Sequence, residues 1–316
     1  MKHPTIEDIQ AAFTRISPYI HKTPVLSCTT IDSMCGGRLF FKCENFQKVG
    51  AFKIRGATNA VFSLSDKQAS RGVATHSSGN HAAALSLAAR WKGIKPYVVM
   101  PENAPRVKIA AVRGYGAKII FCKPTLQARE AGLQKITDET GATFIPPYDD
   151  ERIIAGQGTA ALELLEEVPG LDSVMAPVGG GGLCSGTAIA VSSLAPKSTV
   201  IGVEPEKAND AFQSFKTGTL VPSINPDTIA DGLRTSLSDL TFSIIQKKVA
   251  DIVTVSEEAI IQAMRTIWER MKIIVEPSSA VPLGAVLSKK FDVSGKRVGI
   301  ILSGGNVDLS KLPWNG

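Results

Sequence analysis

The sequence has no run of about 18 apolar residues, the length that a membrane-spanning helix needs, and Met1 to Arg15 lack the apolar core of a signal peptide. Its five cysteines are scattered, with no CxxC pair and no Cys/His cluster, which argues against disulfides and structural zinc. The net charge is +6, but no long basic run exists, which argues against nucleic-acid binding. We therefore expect a cytoplasmic protein that binds small molecules rather than nucleic acid or membrane.

The order of the predicted elements indicates the fold class. The 316 residues are 44% hydrophobic, and strand and helix signals alternate along most of the chain. This alternation predicts an α/β protein with two open, mostly parallel sheets and helices on both faces. Two candidate boundaries, Ser65–Gly72 and Pro146–Pro147, predict a large domain of residues 1–70 and 147–316 with a small domain, 71–146, inserted in it. Gly218 to Asp239 is predicted to be a long loop.

A lysine in a loop before a predicted helix is the first candidate for chemistry. Lys53 lies between Phe52 and a helix predicted from Ile54 to Leu64. The positive end of the helix dipole and the apolar neighbour both disfavour an ammonium, so they lower the lysine pKa and leave more free amine. A free amine attacks aldehydes. On this loop alone an ordinary surface lysine is the preferred interpretation, and the candidate gains weight only from the other loops of the chain.

A run of glycines follows a strand predicted from Ser173 to Val178. Gly179 to Gly182 have no Cβ atoms, so their backbone N–H groups can close on an anion ahead of a helix predicted from Ser185. The run matches neither the Walker motif nor GxGxxG. A single phosphate therefore fits it better than a dinucleotide, and a merely flexible loop is the alternative.

Two more polar loops follow predicted strands. Ser77 to His81 carry more polar side chains than a helix cap needs, which favours a carboxylate site. Ser303 follows a strand predicted from Arg297 to Leu302, and its hydroxyl can donate to or accept from a ring nitrogen. Ligands in open α/β sheets bind beyond the carboxyl ends of strands. Amine, phosphate cradle, carboxylate site and hydroxyl together match pyridoxal phosphate held in a Schiff base by lysine.

The sequence resembles the fold-type-II pyridoxal-phosphate enzymes, specifically the serine/threonine dehydratase and serine racemase group. The resemblance covers nearly the whole chain and lies in these segments: Lys42–Gln47, Ala51–Ala57, Ser77–His81, Pro177–Gly182, Gly202–Pro205 and Ser303–Val307. It implies a tryptophan-synthase β-like fold, an amino-acid substrate and a homodimer.

The resemblance also implies a role for individual residues. Lys53 would bond to the cofactor and move the Cα proton, with Phe52 and Asn80 flanking the ring. The phosphate would be held by Gly179, Gly180, Gly181, Gly182 and Leu183. Ser303 would meet the pyridine nitrogen, and a neutral serine there favours β-elimination. The substrate carboxylate would be bound by Ser77, Asn80 and His81, with Arg129 contributed by the small domain.

Ser78 and three residues further along the chain bear on the branch of the family. In racemase-like members a serine at the position of Ser78 lies opposite the lysine and exchanges the Cα proton, although 3-hydroxyaspartate ammonia-lyases share it and a helix cap would also explain it. Glu204, Ala208 and Asp210 match that branch's divalent-metal site, for Mg²⁺ or alternatively Ca²⁺ or Mn²⁺. Spacing alone would predict that Glu204 and Asp210 are surface acids.

Two departures from the family pattern concern regulation. The chain ends soon after Asn306, so we expect no C-terminal amino-acid-sensing domain and no feedback by isoleucine. Val49 stands where some racemases use a threonine to bind an activating nucleotide, so the resemblance leaves nucleotide regulation open.

The function expected is a pyridoxal-phosphate ammonia-lyase acting on a β-hydroxy-L-amino acid of the serine or threonine type. Serine racemisation and threo-3-hydroxyaspartate elimination are the closest alternatives. A catalytically silent ligand-binding protein and a β-replacement enzyme of the cysteine-synthase kind are more distant ones. The sequence does not rank serine, threonine and 3-hydroxyaspartate as substrates.

Overall fold

A computed structural model of the chain describes residues 3–77, 79–104 and 106–314. In this part of the chain the strands are β1 (Val25–Leu26), β2 (Arg38–Cys43), β3 (Val73–His76), β4 (Pro96–Pro101), β5 (Lys118–Cys122), β6 (Thr143–Phe144), β7 (Ser173–Pro177), β8 (Thr199–Pro205), β9 (Asp251–Val255) and β10 (Arg297–Leu302). The α-helices are α1 (Ile6–Ile16), α2 (Thr29–Cys35), α3 (Lys53–Phe62), α4 (Asp66–Ala69), α5 (Asn80–Lys92), α6 (Arg106–Gly114), α7 (Leu126–Thr140), α8 (Glu151–Glu167), α9 (Gly182–Leu194), α10 (Asp210–Thr217), α11 (Asp239–Lys248), α12 (Glu257–Thr266) and α13 (Pro277–Leu287).

Two sheets organise these elements. The larger has the strand order β1-β2-β10-β7-β8-β9, in which β1 pairs antiparallel with β2 and the other neighbours pair in parallel. The smaller has the order β5-β4-β3-β6 and is parallel throughout. The prediction of two open, mostly parallel sheets is confirmed.

Alternating side chains place helices on both faces of the larger sheet. On β7, Val174 and Ala176 point into a core shared with residues of α8 and α9, whereas Met175 points into a second core shared with α12 and α13. Successive side chains of a strand point to opposite faces, so a strand covered on both sides is apolar throughout. All five residues of β7 are accordingly buried.

The smaller sheet is covered in the same way. Val73 on β3 packs with residues of α3 and α5, while its neighbour Ala74 packs with Leu133 and Ile136 of α7. The strands of this sheet come from residues 73–144, within the segment predicted as the inserted domain. Because α3 and α5 share one core, the division into two domains stays a prediction.

Two segments depart from regular helix and strand geometry. The helix α12 ends at Thr266, and the chain continues as a π-helical turn, Ile267–Met271. The predicted Gly218–Asp239 loop is irregular apart from one 3₁₀ turn, Asp231–Leu233. All five cysteines are free. No helix among the described residues has the length and apolar character needed to cross a bilayer.

Candidate active site

The predicted site loops converge at the carboxyl ends of strands. β7 and β10 are neighbours in the larger sheet, so the glycines after β7 and Ser303 after β10 lie at the same edge. The loop after β3 in the smaller sheet joins them, because Asn306 Nδ2 donates to Asn80 Oδ1 at 2.9 Å. The two sheets therefore present their strand ends to one crevice, as in other open α/β folds.

Lys53 is the first residue of α3 and lies in this crevice. Its Nζ donates to the Pro147 carbonyl oxygen at 2.8 Å and lies 5.0 Å from the centre of the Phe52 ring. Burial lowers the pKa of Lys53 to about 8, against the opposing attraction of Glu276. The direction agrees with the sequence prediction, and desolvation by the surrounding protein is its main cause. About a tenth of the Lys53 amine is therefore free at pH 7, far more than for a lysine with the ordinary pKa of about 10.4.

The backbone of α3 is held against α8. A Cβ on Gly156 would lie 2.6 Å from the Gly56 Cα, and Gly56 N–H donates to Gln157 Oε1 at 3.1 Å. Side chains larger than glycine would separate the two helices. Since α8 follows directly after the Pro147 segment, this contact sets the position of Lys53 relative to its carbonyl partner.

A buried ionic network around Arg55 also fixes the position of α3. Arg55 donates to Glu44 Oε2 at 2.7 Å and to Glu163 Oε1 at 2.7 Å, and Lys42 Nζ donates to Glu163 Oε2 at 2.6 Å. The four side chains are at most 1% exposed. Two cations face two carboxylates, so the charges balance where water cannot screen them. The network joins β2, α3 and α8 two residues from Lys53.

The glycine loop forms a cradle without side chains. A Cβ on Gly179 would meet the Leu233 Cα at 2.9 Å, and one on Gly180 would meet the Tyr148 ring at 2.2 Å. Gly181 has a φ of +83° and caps α9, which begins at Gly182 rather than at the predicted Ser185. The first N–H groups of α9 have no intrahelical acceptor, so they and the helix dipole favour an anion.

Leu183 and Ser303 complete the wall of the crevice. Leu183 is buried in the first turn of α9. Ser303 is 2% exposed, and its carbonyl oxygen accepts from the Phe52 N–H at 3.0 Å, which places it beside the residue that precedes Lys53. Its hydroxyl lies 3.1 Å from the Ser279 hydroxyl, a neighbour that the sequence interpretation missed.

Asn80 has an acidic partner that the sequence interpretation also missed. Asn80 Nδ2 donates to Glu276 Oε1 at 2.9 Å and to Oε2 at 3.2 Å. Burial, reinforced by repulsion from Asp231, raises the pKa of Glu276 to about 7. The sequence does show that Glu276 is an acid directly before Pro277 at the start of a helix. Nothing in the sequence relates Glu276 to the loop that carries Asn80, which is 196 residues away.

Three other residues of this loop were predicted to bind substrate. Ser78 lies outside the described residues, and Ser77 and His81 have different hydrogen-bond partners. Ser77 Oγ accepts from the Gly79 N–H at 3.3 Å. His81 is 2% exposed, and its Nε2 bonds to the Ile145 carbonyl at 3.0 Å. Burial, followed by the charge of Lys53, lowers the pKa of His81 to about 3, so the ring is neutral. Contact of His81 with a carboxylate would therefore use its backbone N–H, and this role stays a prediction.

Arg129 lies in the first turn of α7 and is half-buried. Burial lowers the pKa of the His76 imidazole, and the positive charge of the nearby Arg129 lowers it further. His76 ends β3 directly before Ser77, so Arg129 borders the substrate loop. Its contact with the substrate stays a prediction.

Glu204 lies at the end of β8, Ala208 and Asp210 follow it, and the surface location predicted from spacing is wrong for both acids. Glu204 is fully buried and Asp210 is 3% exposed. Glu204 accepts the N–H groups of Ala211 and Phe212 at 3.1 and 2.9 Å. Burial and the neighbouring Asp210 raise the pKa of Glu204 to about 9, and burial raises that of Asp210 to about 6. Neither Asp210 oxygen forms a hydrogen bond of ordinary geometry within the described ranges.

Comparison with known proteins gives consistent matches. The model of the "Pyridoxal-phosphate dependent enzyme" family matches residues 16–304. The chain is 53% identical over 312 residues to the beta-hydroxyaspartate dehydratase of Paracoccus denitrificans, covering 99% of both proteins. It is 49% identical over 309 residues to the L-threo-3-hydroxyaspartate ammonia-lyase of Saccharomyces cerevisiae, covering 98% of both.

The solved structures agree. The crystal structure of serine racemase from Dictyostelium discoideum has a TM-score of 0.93 and 50% identity, and the match covers 97% of this chain and 99% of that one. With a lysine amine, an anion cradle and a buried serine hydroxyl in one crevice, the site fits the cofactor of this family. The chain belongs to the pyridoxal-phosphate dependent enzymes of fold type II, in the group that contains the serine racemases and the hydroxyaspartate ammonia-lyases.

Proposed function

We propose that this enzyme eliminates water and ammonia from a β-hydroxy-L-amino acid and releases a 2-oxo acid. The observation that carries the proposal is the amine of Lys53, desolvated enough to have a pKa of about 8 and set in the same crevice as the glycine cradle. A base with a pKa near the working pH combines a useful deprotonated fraction with adequate proton affinity.

Each described side chain has a definite task in this reaction. Pyridoxal phosphate, when bound, supplies the electron sink that makes the substrate Cα–H acidic. Lys53 Nζ would anchor the cofactor and take that proton. The N–H groups of Gly179 to Gly182 would hold the phosphate, and Ser303 would hold the pyridine nitrogen. Ser77 and Asn80 hold the substrate carboxylate at the start of α5, where the helix dipole also favours an anion.

The similarities support two neighbouring activities. Identity of 53% to a beta-hydroxyaspartate dehydratase supports 3-hydroxyaspartate as substrate, with Arg129 as the side chain available for a carboxylate. Identity of 50% to a serine racemase supports racemisation as the second candidate, with Ser78 as the base opposite Lys53. We rank elimination above racemisation because the relative with 53% identity is a dehydratase.

One assay tests these activities together. Purified holoenzyme with Mg²⁺ is given L-serine, L-threonine or L-threo-3-hydroxyaspartate, and the 2-oxo acid and the D-amino acid are both quantified by chiral chromatography. We expect oxo acid as the main product. A D-amino acid that forms faster than the oxo acid would make the enzyme a racemase, and the absence of both products with all three substrates would contradict the proposal.

A divalent cation at Glu204, the Ala208 carbonyl and Asp210 is also part of the proposed function. Two buried carboxylates with raised pKa values repel each other unless a cation lies between them. The carboxylate oxygens of Asp210, which have no hydrogen bond of ordinary geometry among the described residues and only weaker contacts with Ser223 and Leu237, are hard ligands of the kind that Mg²⁺ and Ca²⁺ prefer. The homodimer implied by the family stays a prediction, to be tested by sedimentation of the holoenzyme.

The cation should change how stability depends on pH. A raised pKa means that ionised Glu204 opposes folding, so the free energy of unfolding of the cation-free protein should fall as pH rises from 4.5 towards about 9. Mg²⁺ at a hundredfold excess over its Kd should restore roughly 2.7 kcal/mol. Thermal unfolding of the apoenzyme with Mg²⁺ or with a chelator, across this pH range, measures the effect.

Variants separate this site from general ion effects. Glu204→Gln should remove the response to Mg²⁺ and the part of the pH slope between about pH 7 and pH 9, because Asp210 and Glu276, with pKa values of about 6 and 7, contribute only at lower pH. Glu258→Gln, at an exposed position, should leave both as in the parent protein. An equal response to Mg²⁺ in the parent and in Glu204→Gln would rule the site out.

A further inference from the structure

The side chain of His81 is bonded to the segment that also carries the carbonyl partner of Lys53. His81 lies in the first turn of α5 and is 2% exposed. Its Nε2 lies 3.0 Å from the Ile145 carbonyl oxygen. A carbonyl oxygen only accepts, so Nε2 carries the ring hydrogen and donates it. Two residues further along the chain, the Pro147 carbonyl accepts from Lys53 Nζ at 2.8 Å.

This hydrogen bond limits what the imidazole can do in the crevice. Burial lowers the pKa of His81 to about 3, so the ring is neutral at working pH. A neutral imidazole has one N–H hydrogen, and Ile145 already takes it. Nδ1 then has only a lone pair, which repels a carboxylate oxygen. The side chain is therefore unsuited to bind the substrate carboxylate, and its bond to Ile145 is the contact that needs a purpose.

The segment from Ile145 to Pro147 has few conformations of its own. The rings of Pro146 and Pro147 fix φ at about −65°, and neither residue has an N–H that could anchor the backbone independently. Ile145 and Pro146 each precede a proline, which favours extended backbone. Ile145 is fully buried, and its N–H donates to the Ala74 carbonyl at 2.9 Å. Once both polar groups of Ile145 are held, the position of the Pro147 carbonyl is narrowly determined.

We propose that His81 is a positioning residue for Lys53. Its hydrogen bond to Ile145 fixes the Pro147 carbonyl, and that carbonyl holds the amine that takes the Cα proton. An amine that donates one hydrogen to a fixed carbonyl can rotate only about that hydrogen bond, so the directions of its lone pair are restricted. The inference rests on the proposed function, in which Lys53 is the base.

The test measures the amine of Lys53 directly in the apoenzyme. Formaldehyde labelled with ¹³C and a mild borane reductant methylate free amines, and peptide mass spectrometry gives the rate at Lys53 from pH 5.5 to pH 10. The parent enzyme should titrate with a pKa of about 8. In His81→Leu the site is filled without a donor, and the Pro147 carbonyl is released. Because a hydrogen bond from an ammonium favours the charged form, the pKa of Lys53 should fall by about 1.

Steady-state kinetics of the holoenzyme separate positioning from substrate binding. Displacement of a catalytic group by about 1 Å can cost roughly 10²-fold in rate. In His81→Leu we expect kcat for 2-oxo acid formation to fall by about 10- to 100-fold while KM stays close to that of the parent enzyme. An imidazole that bound the substrate carboxylate would instead raise KM when removed.

Two control variants isolate the hydrogen bond to Ile145. The side-chain nitrogen of glutamine can reach the place of histidine Nε2, so His81→Gln should restore the parent pKa of Lys53 and most of kcat. Ser86 is fully buried in the same helix, but its hydroxyl donates to the Ala82 carbonyl at 2.7 Å. Ser86→Ala should therefore change neither quantity. If His81→Leu does not fold, His81→Asn takes its place, because the asparagine amide is too short to reach Ile145.

The outcomes separate this inference from the proposed function. A pKa of Lys53 in His81→Leu that equals or exceeds the parent value would overturn the role of His81, and so would an equal loss of kcat in His81→Gln. If the parent enzyme nevertheless forms 2-oxo acid, the proposed function stays intact. A parent enzyme that forms no 2-oxo acid would overturn the proposed function and this inference with it.

Discussion

Replacement of Lys53 by alanine should abolish 2-oxo acid formation from every substrate. Loss of general-base catalysis alone costs roughly 10²- to 10⁴-fold in rate, and the variant also loses the amine that anchors the cofactor. Lys53→Arg should be equally inactive although it keeps the positive charge, because a guanidinium with a pKa above about 12 has no free amine at working pH. Turnover of holoenzyme under saturating substrate measures both.

The control for this prediction is a lysine in a different setting. Lys67 lies exposed on α4, and Lys67→Ala should keep the activity of the parent enzyme. The pKa of about 8 at Lys53 adds a pH signature, since the free amine of the unloaded enzyme should appear as pH rises through 8. Chemical labelling of the apoenzyme with an amine-specific reagent would detect it. A Lys53→Ala variant within a few-fold of parent activity would refute the assignment.

Replacement of Arg55 by methionine should be the most destabilising of the changes considered. Glu44 and Glu163 would remain buried with Lys42 as their one cation, and removal of one partner from a buried ionic network costs about 3–5 kcal/mol. Urea unfolding of the apoenzyme measures the loss. Because Arg55 lies two residues after Lys53, kcat should also fall in any fraction that folds.

An exposed ion pair supplies the matched control. Arg265 Nε lies 2.7 Å from Glu269 Oε1, the same distance as in the Arg55–Glu44 pair, but its side chain is 60% exposed. Exposed pairs contribute about 0–1 kcal/mol because water and salt screen them. Arg265→Met should therefore unfold at nearly the parent urea concentration. Equal losses in the two variants would contradict the view that burial makes the Arg55 network strong.

The sequence was informative where a local pattern reports a local structure. The glycines at 179–182 predicted a loop whose backbone packs closely against its neighbours ahead of a helix, and the structure has such a loop, because absence of Cβ atoms is visible in the sequence itself. It was uninformative about side chains whose role depends on distant partners. Tyr148, which lies against Gly180, and Glu276, which holds Asn80, belong to segments with no motif of their own. Arg55 and Glu163 were likewise not recognised as one network, because their partners are 108 residues apart.

By itself, the sequence determined the class of fold and the loops that carry the chemistry. Periodicity sets the elements, and in parallel sheets the loops after the strands necessarily lie at one edge. The tertiary structure alone decided the state of the groups in those loops. Lys53 has a low pKa because the folded protein buries its amine, whose carbonyl partner Pro147 is 94 positions away, and Ser303 lies against Ser279, which is 24 positions away. Desolvation and hydrogen-bond direction depend on which atoms meet in space, and no local pattern encodes them.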